Sequence, residues 1–434
     1  MPINGTIDPA LKLNNRGRII RTVLGQDVDR LPLTLWGPWG ETIERWRREG
    51  YPESADFSAY FGLDAGFSKI AVNLGYYPAF ERKVLEDRGG TKLIQDQSGS
   101  ILEIMADHST IPKIVSPAVS GRESWEKLKE RLNPRSPGRY PDWQAEQERF
   151  AGSGAAVQIG AYPYGLFGTL RDMMGVEELL VGFYDEPELV HDIMDYLTDF
   201  WLAIYEETAR HVQIDHIHIW EDMSGRQGPL ISPDMFREFM MANYKKIIAF
   251  AKDRNIPIVS VDTDGNMDLM MPLLSEAGIN LVMPFEVQAG CDVVAIKKQY
   301  PHICLFGGID KRALTKDRKT IDAELDRVDS LFYRSGYMPG LDHLIHPEIS
   351  FDNFKYFVEQ LKIRLGSGGV IRGIAPSPKS TGLLKNELQF EVLSGPEKPG
   401  QGHGKSRLPA GFFNVQAFPV PPDPQFHSTG GADA

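Results

Sequence analysis

Ile256-Pro-Ile-Val-Ser-Val-Asp-Thr-Asp-Gly-Asn266 is the stretch that decides how this 434-residue chain folds. Ile258, Val259 and Val261 make the β-branched run of a buried strand, and Asp262, Asp264 and Gly265 mark where it leaves the sheet. In a parallel α/β protein that exit is where chemistry is placed. Two acids in an Asp-Thr-Asp-Gly turn also suit the cap of a following helix, and both readings stand on this stretch alone.

Outward from it, the text after Ala155 alternates strand-like and helix-like runs. The strand candidates are 157–160, 214–219, 256–261, 280–283, 303–306 and 337–341, separated by helical segments such as 187–210, 233–253 and 321–335. Before them, residues 16–24 have helical spacing, Asp29-Arg-Leu-Pro-Leu-Thr-Leu35 leads into a first strand, and Phe67 to Val72 gives a second. Eight strands alternating with helices predict an α/β protein of the (β/α)8, or TIM, barrel class over residues 1–366. Residues of about 80–150 interrupt the pattern, with small antiparallel hairpins around Asp87-Arg-Gly-Gly90 and Gln97-Ser-Gly99, then polar helices broken at Asn133-Pro-Arg-Ser-Pro-Gly138; they read as an insertion after the second strand. Residues 367–434 are rich in Pro, Gly and Ser and keep no hydrophobic period, so a disordered or added tail is expected there.

Composition bounds the function classes. A net charge of -12 argues against a general nucleic-acid binder, which needs basic surface to meet phosphates. No run of about 18 apolar residues could span a bilayer, and the start Met-Pro-Ile-Asn-Gly-Thr lacks a basic region and an apolar core, so a cytoplasmic protein is expected. Cys291 and Cys304 are the two cysteines and read as small core residues, not as a disulfide framework.

A barrel would bring its strand ends to one face, and each end carries polar groups. Trp36-Gly-Pro-Trp-Gly40 reads as pocket wall, with Trp36 and Trp39 as flat apolar surface, or as an aromatic plug of the core. The third strand delivers Tyr162 and, after Gly168-Thr-Leu, Arg171, a carboxylate anchor or a surface ion pair. The fourth delivers His216 and His218, which alternate with Ile217 and Ile219 and so leave one face, followed by Glu221 and Asp222 as proton-transfer candidates. Asp262, Asp264, Glu286 and His343, from four different ends, have the character of a metal site of oxygen ligands and one imidazole; helix capping and pairing with Lys311, Arg312 or Arg226 is the structural alternative.

At these residues the chain resembles the uroporphyrinogen decarboxylase superfamily, which includes corrinoid and coenzyme M methyltransferases. The resemblance runs through Gly165-Leu-Phe-Gly-Thr-Leu-Arg-Asp-Met-Met-Gly175, Phe183-Tyr-Asp-Glu-Pro-Glu-Leu-Val190, Gly228-Pro-Leu-Ile-Ser-Pro-Asp-Met-Phe236 and Gly307-Gly-Ile-Asp-Lys311, and covers roughly residues 15–365. It implies the same barrel with its site at the strand ends. The family's decarboxylases carry an Arg-Gln-Ala-Gly-Arg-Tyr motif after the first strand, whereas this chain has Trp36-Gly-Pro-Trp-Gly-Glu-Thr42; losing the cationic forks disfavours a polycarboxylate substrate. The methyltransferases hold zinc through a His-x-Cys pair and a later Cys, and those positions fall on Asp262, Asp264 and His343. A glutamate of the distantly related cobalamin-independent methionine synthase falls on Glu286.

The resemblance therefore implies a divalent metal, zinc first, held by Asp262, Asp264, Glu286 and His343. It implies methyl transfer or demethylation of a small, largely uncharged substrate with a corrinoid protein as partner. Glu221 or Asp222 would move the proton, and Trp36, Trp39, Tyr162, Arg171 and His218 would bind substrate; a homodimer is compatible with the family. Two alternatives stand beside it: a metal-independent decarboxylase of a porphyrinogen-like or other carboxylate, and a carrier of a tetrapyrrole or corrinoid without catalysis.

Overall fold

The computed structural model describes residues 12–105, 113–366 and 371. In chain order the strands are β1 (Phe67–Lys69), β2 (Lys83–Asp87), β3 (Thr91–Gln95), β4 (Ile101–Met105), β5 (Lys113–Ser116), β6 (Ala156–Ile159), β7 (His216–Trp220), β8 (Ser224–Gly225), β9 (Gly228–Pro229), β10 (Ile258–Asp262), β11 (Leu281–Met283), β12 (Cys304–Phe306) and β13 (Tyr337–Met338). Seven of them pair in parallel in the order β1-β6-β7-β10-β11-β12-β13, a curled sheet with helices between successive strands. The opening stretch supplies its middle strand, in register with β7 (Ile258 opposite His216, Asp262 opposite Trp220) and with β11 (Asp262 opposite Met283).

Strand alternation sorts the core into two parts. Ile217, Ile219, Val259, Val261, Val282 and Leu305 face the helices in the larger cluster. The intervening residues, Ala156, Ile258, Leu281, Met283, Cys304, Phe306 and Met338, form a smaller one inside the curl. Ile19 and Val23 of the Asn15–Val23 helix complete that inner cluster and close one end of it. The helix begins where the Asn14 side chain accepts the Gly17 N–H, a conventional N-cap.

The first expected strand differs from the expectation. Leu31, Leu33 and Thr34 are buried, but the segment forms no ladder: Asp64 N–H donates to the Leu33 carbonyl at one side, and Pro38 bridges to Ile345 at the other. Pro32 and Pro38 remove two donors from a stretch of seven residues, which is why the eighth stave is held by single bonds while the other seven pair as strands.

Between β1 and β6 the chain builds a four-stranded antiparallel sheet, β2-β3-β4-β5, and the helices Arg122–Lys129 and Trp143–Ala151. The expected tail lies outside the described residues except for Ile371, which is buried and pairs with Val28. No helix among the described residues is long and apolar enough to cross a membrane.

Because Ile19 is fully buried in the inner cluster, Ile19→Ala should cost about 2–5 kcal/mol. The measurement is the urea midpoint of the full chain. A loss below about 1 kcal/mol would mean that the helix does not plug the curl.

Candidate active site

The carboxyl ends of the parallel strands converge on one mouth, and the acids there are each given a different partner. Asp222 follows β7 in a left-handed conformation (φ 41°), which Asp tolerates better than most residues. Its carboxylate takes a charge-assisted bond from Arg171 Nη1, which also donates to the Asp222 carbonyl at 3.0 Å. Arg171 in turn lies over the Trp220 ring, 5.1 Å from its centroid, and Tyr162 meets the same indole edge-on at 4.6 Å. Arg171 is thus a partner of Asp222, and Tyr162 with Trp220 forms a wall.

Asp262 ends β10 with one carboxylate oxygen 3.6 Å from His218 Nε2. Asp264 lies 3.6 Å from His343 Nε2. Glu286, just after β11, accepts the Gly265 N–H at 3.1 Å and sits 3.8 Å from Lys311 Nζ. Lys311 is buried and is also 3.8 Å from Asp342, a fully buried acid that accepts the N–H groups of Lys311 and Val287. Trp36 packs edge-on against Phe306 and His343, at 5.6 and 6.4 Å, while Trp39 lies by His346.

The four residues expected to bind a metal therefore reach the same mouth but do not converge as a ligand set. Asp262 faces His218, Glu286 faces Lys311, and Asp264 stands by His343. Among the described residues, no three His, Cys, Asp or Glu side chains are arranged to hold an ion. An ammonium beside Glu286 also opposes a cation at that oxygen. The donor set as placed does not fit a divalent metal, and no chemistry is derived through one.

Glu221 occupies a different environment from its neighbour. It is fully buried, accepts the backbone N–H groups of Leu166 (3.0 Å), Phe167 (2.6 Å) and Gly168 (3.1 Å), and takes the Tyr244 hydroxyl at 2.7 Å. Those N–H groups are the unsatisfied donors at the start of the Leu166–Met174 helix, so Glu221 caps it from the end of the neighbouring strand. The approach is close enough that a Cβ at Gly165 would collide with the Trp220 carbonyl. Burial still pushes Glu221 up to about 7.

Burial dominates the electrostatics of the mouth. It raises Asp262 well above the usual carboxylate range, with repulsion from Asp264 and Asp222 adding to it. It raises Asp222 against the pull of Arg171, and Glu286 with help from Asp264 and against the pull of Lys311. Burial also lowers His218 to about 4, and Lys69 adds to the effect. Burial thus favours the neutral form of both partners in the Asp262–His218 contact.

Sequence reading placed Asp222, Asp262, Asp264, Glu286, His218, His343, Arg171 and Trp36 at strand ends, and Lys311 and Asp342 with them but without a role in the site; it missed Ser260. Ser260 was findable, being the one polar residue in the inward phase between Ile258 and Asp262. Asp342 stood at the end of the last strand in the sequence, but its full burial and its contact with Lys311 depend on residues far off in the chain.

Comparison with known proteins comes to the same fold. Residues 100–363 match the family model described as uroporphyrinogen decarboxylase (URO-D). The chain is 22% identical to a Campylobacter concisus protein named uroporphyrinogen decarboxylase, over 41% of this chain and 50% of that one. It is 24% identical to a Magnetococcus marinus protein of the same name, over 45% and 52%. The chain thus spans about half the length of the curated relatives it matches. A solved methyltransferase from Methanosarcina mazei aligns with a TM-score of 0.49 at 16% identity, covering 80% of this chain and 98% of that one.

The electrostatics make a stability prediction with a definite sign. Asp262 binds its proton more tightly folded than unfolded, so its contribution is full at low pH and is lost as pH rises from about 4 through its folded value. Asp262→Asn removes that loss. The variant should match the native chain near pH 4 and exceed it increasingly above, by up to about 1.4 kcal/mol per pH unit. Chemical denaturation between pH 4 and 8 reads the gap, and a gap that does not grow with pH would refute the protonated state of Asp262.

Proposed function

The chain belongs to the uroporphyrinogen decarboxylase family, and from that premise we propose that it is an enzyme that removes a methyl group from a small or medium, largely uncharged substrate, the methyl passing to an acceptor carried by a corrinoid protein. The observation that carries this reading is the charge already present in the mouth. Asp222, Asp264 and Glu286 share it, and the nearby cations are engaged: Arg171 with Asp222, and Lys311 with Glu286 and Asp342. A substrate bearing several carboxylates would add like charge to a largely buried cluster of acids and would meet Trp36 in place of an arginine fork. An uncharged substrate carries no such penalty.

The same arrangement supplies a proton. As the bond from the methyl carbon to the leaving heteroatom breaks, its electron pair stays with the heteroatom, Asp262 protonates that atom, and the methyl carbon bonds to the acceptor nucleophile. Asp262 is left as a carboxylate facing His218. Asp222 and Glu221 were the expected proton carriers; in this reading Asp222 is fixed by Arg171 and borders the pocket, while Glu221 holds the Leu166–Met174 helix. Trp36, Tyr162 and Trp220 line the pocket, and Trp39 supports it from beside His346.

The test is methyl transfer by the purified full chain from methoxyarenes and methylamines to cob(I)alamin, followed by the loss of the Co(I) absorbance, with uroporphyrinogen assayed in parallel. Transfer that falls by about 10²–10⁴-fold in Asp262→Asn is expected. Conversion of uroporphyrinogen to coproporphyrinogen would replace this reading by decarboxylation. A tetrapyrrole or corrinoid absorbance that copurifies, with no turnover of any of these substrates, would replace it by the carrier reading.

A further inference from the structure

Beneath the mouth, inside the curl of the sheet, three polar side chains form a line that the reaction above does not use. Ser260 Oγ lies 2.7 Å from His216 Nε2 and 2.9 Å from His218 Nδ1, and all three residues are buried. His218 Nε2 continues the line to Asp262 Oδ2 at 3.6 Å. At the inner end the His216 ring packs on Phe67, with centroids 4.3 Å apart, and His216 Nδ1 is buried with no hydrogen-bond partner.

A serine hydroxyl has one proton, so Ser260 can donate to one of the two imidazoles and must accept from the other. With both rings neutral, two arrangements follow. If Ser260 donates to His216, then His216 carries its proton on Nδ1, a buried N–H without an acceptor, and His218 carries its own on Nδ1 and turns a bare lone pair toward Asp262. If His216 donates to Ser260 and Ser260 donates to His218, the orphan at His216 Nδ1 is a lone pair. The tilted Phe67 ring would give an Nδ1–H no more than a weak π contact, so that N–H would remain without a true acceptor, and buried unsatisfied N–H groups are the rarer and costlier case.

We infer that Ser260 and His216 are positioning residues that hold His218 as its Nε2–H tautomer, so that a neutral imidazole N–H is aimed into the mouth at an acceptor oxygen. A neutral N–H donor of this kind recognises a carbonyl, ether or hydroxyl oxygen of substrate, or Asp262 Oδ2, without bringing charge. The consequence for Asp262, which rests on the proposed function, is that its own proton is not spent on His218 and points to the substrate. The Nδ1–H tautomer would instead take that proton as a hydrogen bond.

Long-range ¹H–¹⁵N correlation spectra of the histidine-labelled full chain distinguish the two tautomers directly and do not depend on which reaction the enzyme performs. The expected result is the Nε2–H pattern for His218, assigned by its loss in His218→Gln. In Ser260→Ala that pattern should give way to a tautomer mixture, and in Ser260→Thr, which keeps the hydroxyl, it should persist. An Nδ1–H pattern in the native chain, or an Nε2–H pattern unchanged in Ser260→Ala, would overturn the inference. Should Ser260→Ala not fold, the native spectrum alone decides. Failure of the methyl-transfer assay with the Nε2–H pattern intact would remove the proposed reaction and leave the tautomer assignment standing.

Discussion

An acid taken out of water must be given a cation, a set of donors or a proton, and the mouth of this barrel is built around that demand. All three solutions occur within one short arc of strand ends. Asp222 is given a cation, the Arg171 guanidinium. Glu221, one residue earlier, is given donors: three N–H groups from a helix start and a tyrosine hydroxyl. Asp262 is given neither at bonding distance, and burial among other acids pushes it toward the protonated form. The difference between structural and reactive acids here is a difference of partners, since all three are carboxylates at the same end of the same sheet.

These partners come from the topology. Parallel strands with helical crossovers place each strand's exit on the same side, so residues far apart in the chain, such as Arg171 and Asp222 or Lys311 and Glu286, meet without long loops. The Glu221 cap also fixes the helix that carries Arg171, so the acid that does no chemistry holds the cation that sets the neighbour's charge. Gly165 is required in that arrangement because a side chain at the helix start would strike the Trp220 carbonyl. Two non-glycine residues in the left-handed region, Asp222 and Phe285, both follow strand ends at this mouth, where such conformations recur in functional sites.

The periodic parts of the fold were legible because their residues carry their own pattern. The runs at 157–160, 214–219 and 256–261 fall within two residues of β6, β7 and β10, and the break at Asn133–Gly138 separates two helices as expected. The stave at 31–35 was read as a strand from its apolar residues, but prolines decide whether a ladder can form, and their donors were already absent in the text. Site residues were legible as a group, through strand-end placement, and illegible as pairs. Whether Asp262 meets His218 or Glu286 depends on stagger between strands, and no spacing in one sequence contains that distance. The same limit applies to metal binding: four donors of suitable type arrived at one mouth, while their mutual arrangement is set by contacts such as Asp262 with His218 and Glu286 with Lys311.

The inner contents of the curl tie the opening stretch to its chemistry. Along β10 the inward residues run Ile258, Ser260, Asp262, from apolar through hydroxyl to acid. Ile258 belongs to the apolar layer sealed from below by Ile19 and Val23, so water is kept out of the end opposite the mouth. Above it Ser260 and the two histidines form a layer joined through the Ser260 hydroxyl. A wet lower barrel would solvate Asp262, relax its repulsion from Asp264 and Asp222, and let it ionise as an ordinary aspartate. A substitution that loosens that plug and admits water beneath the histidine layer would therefore lower Asp262 toward the ordinary carboxylate range without touching it.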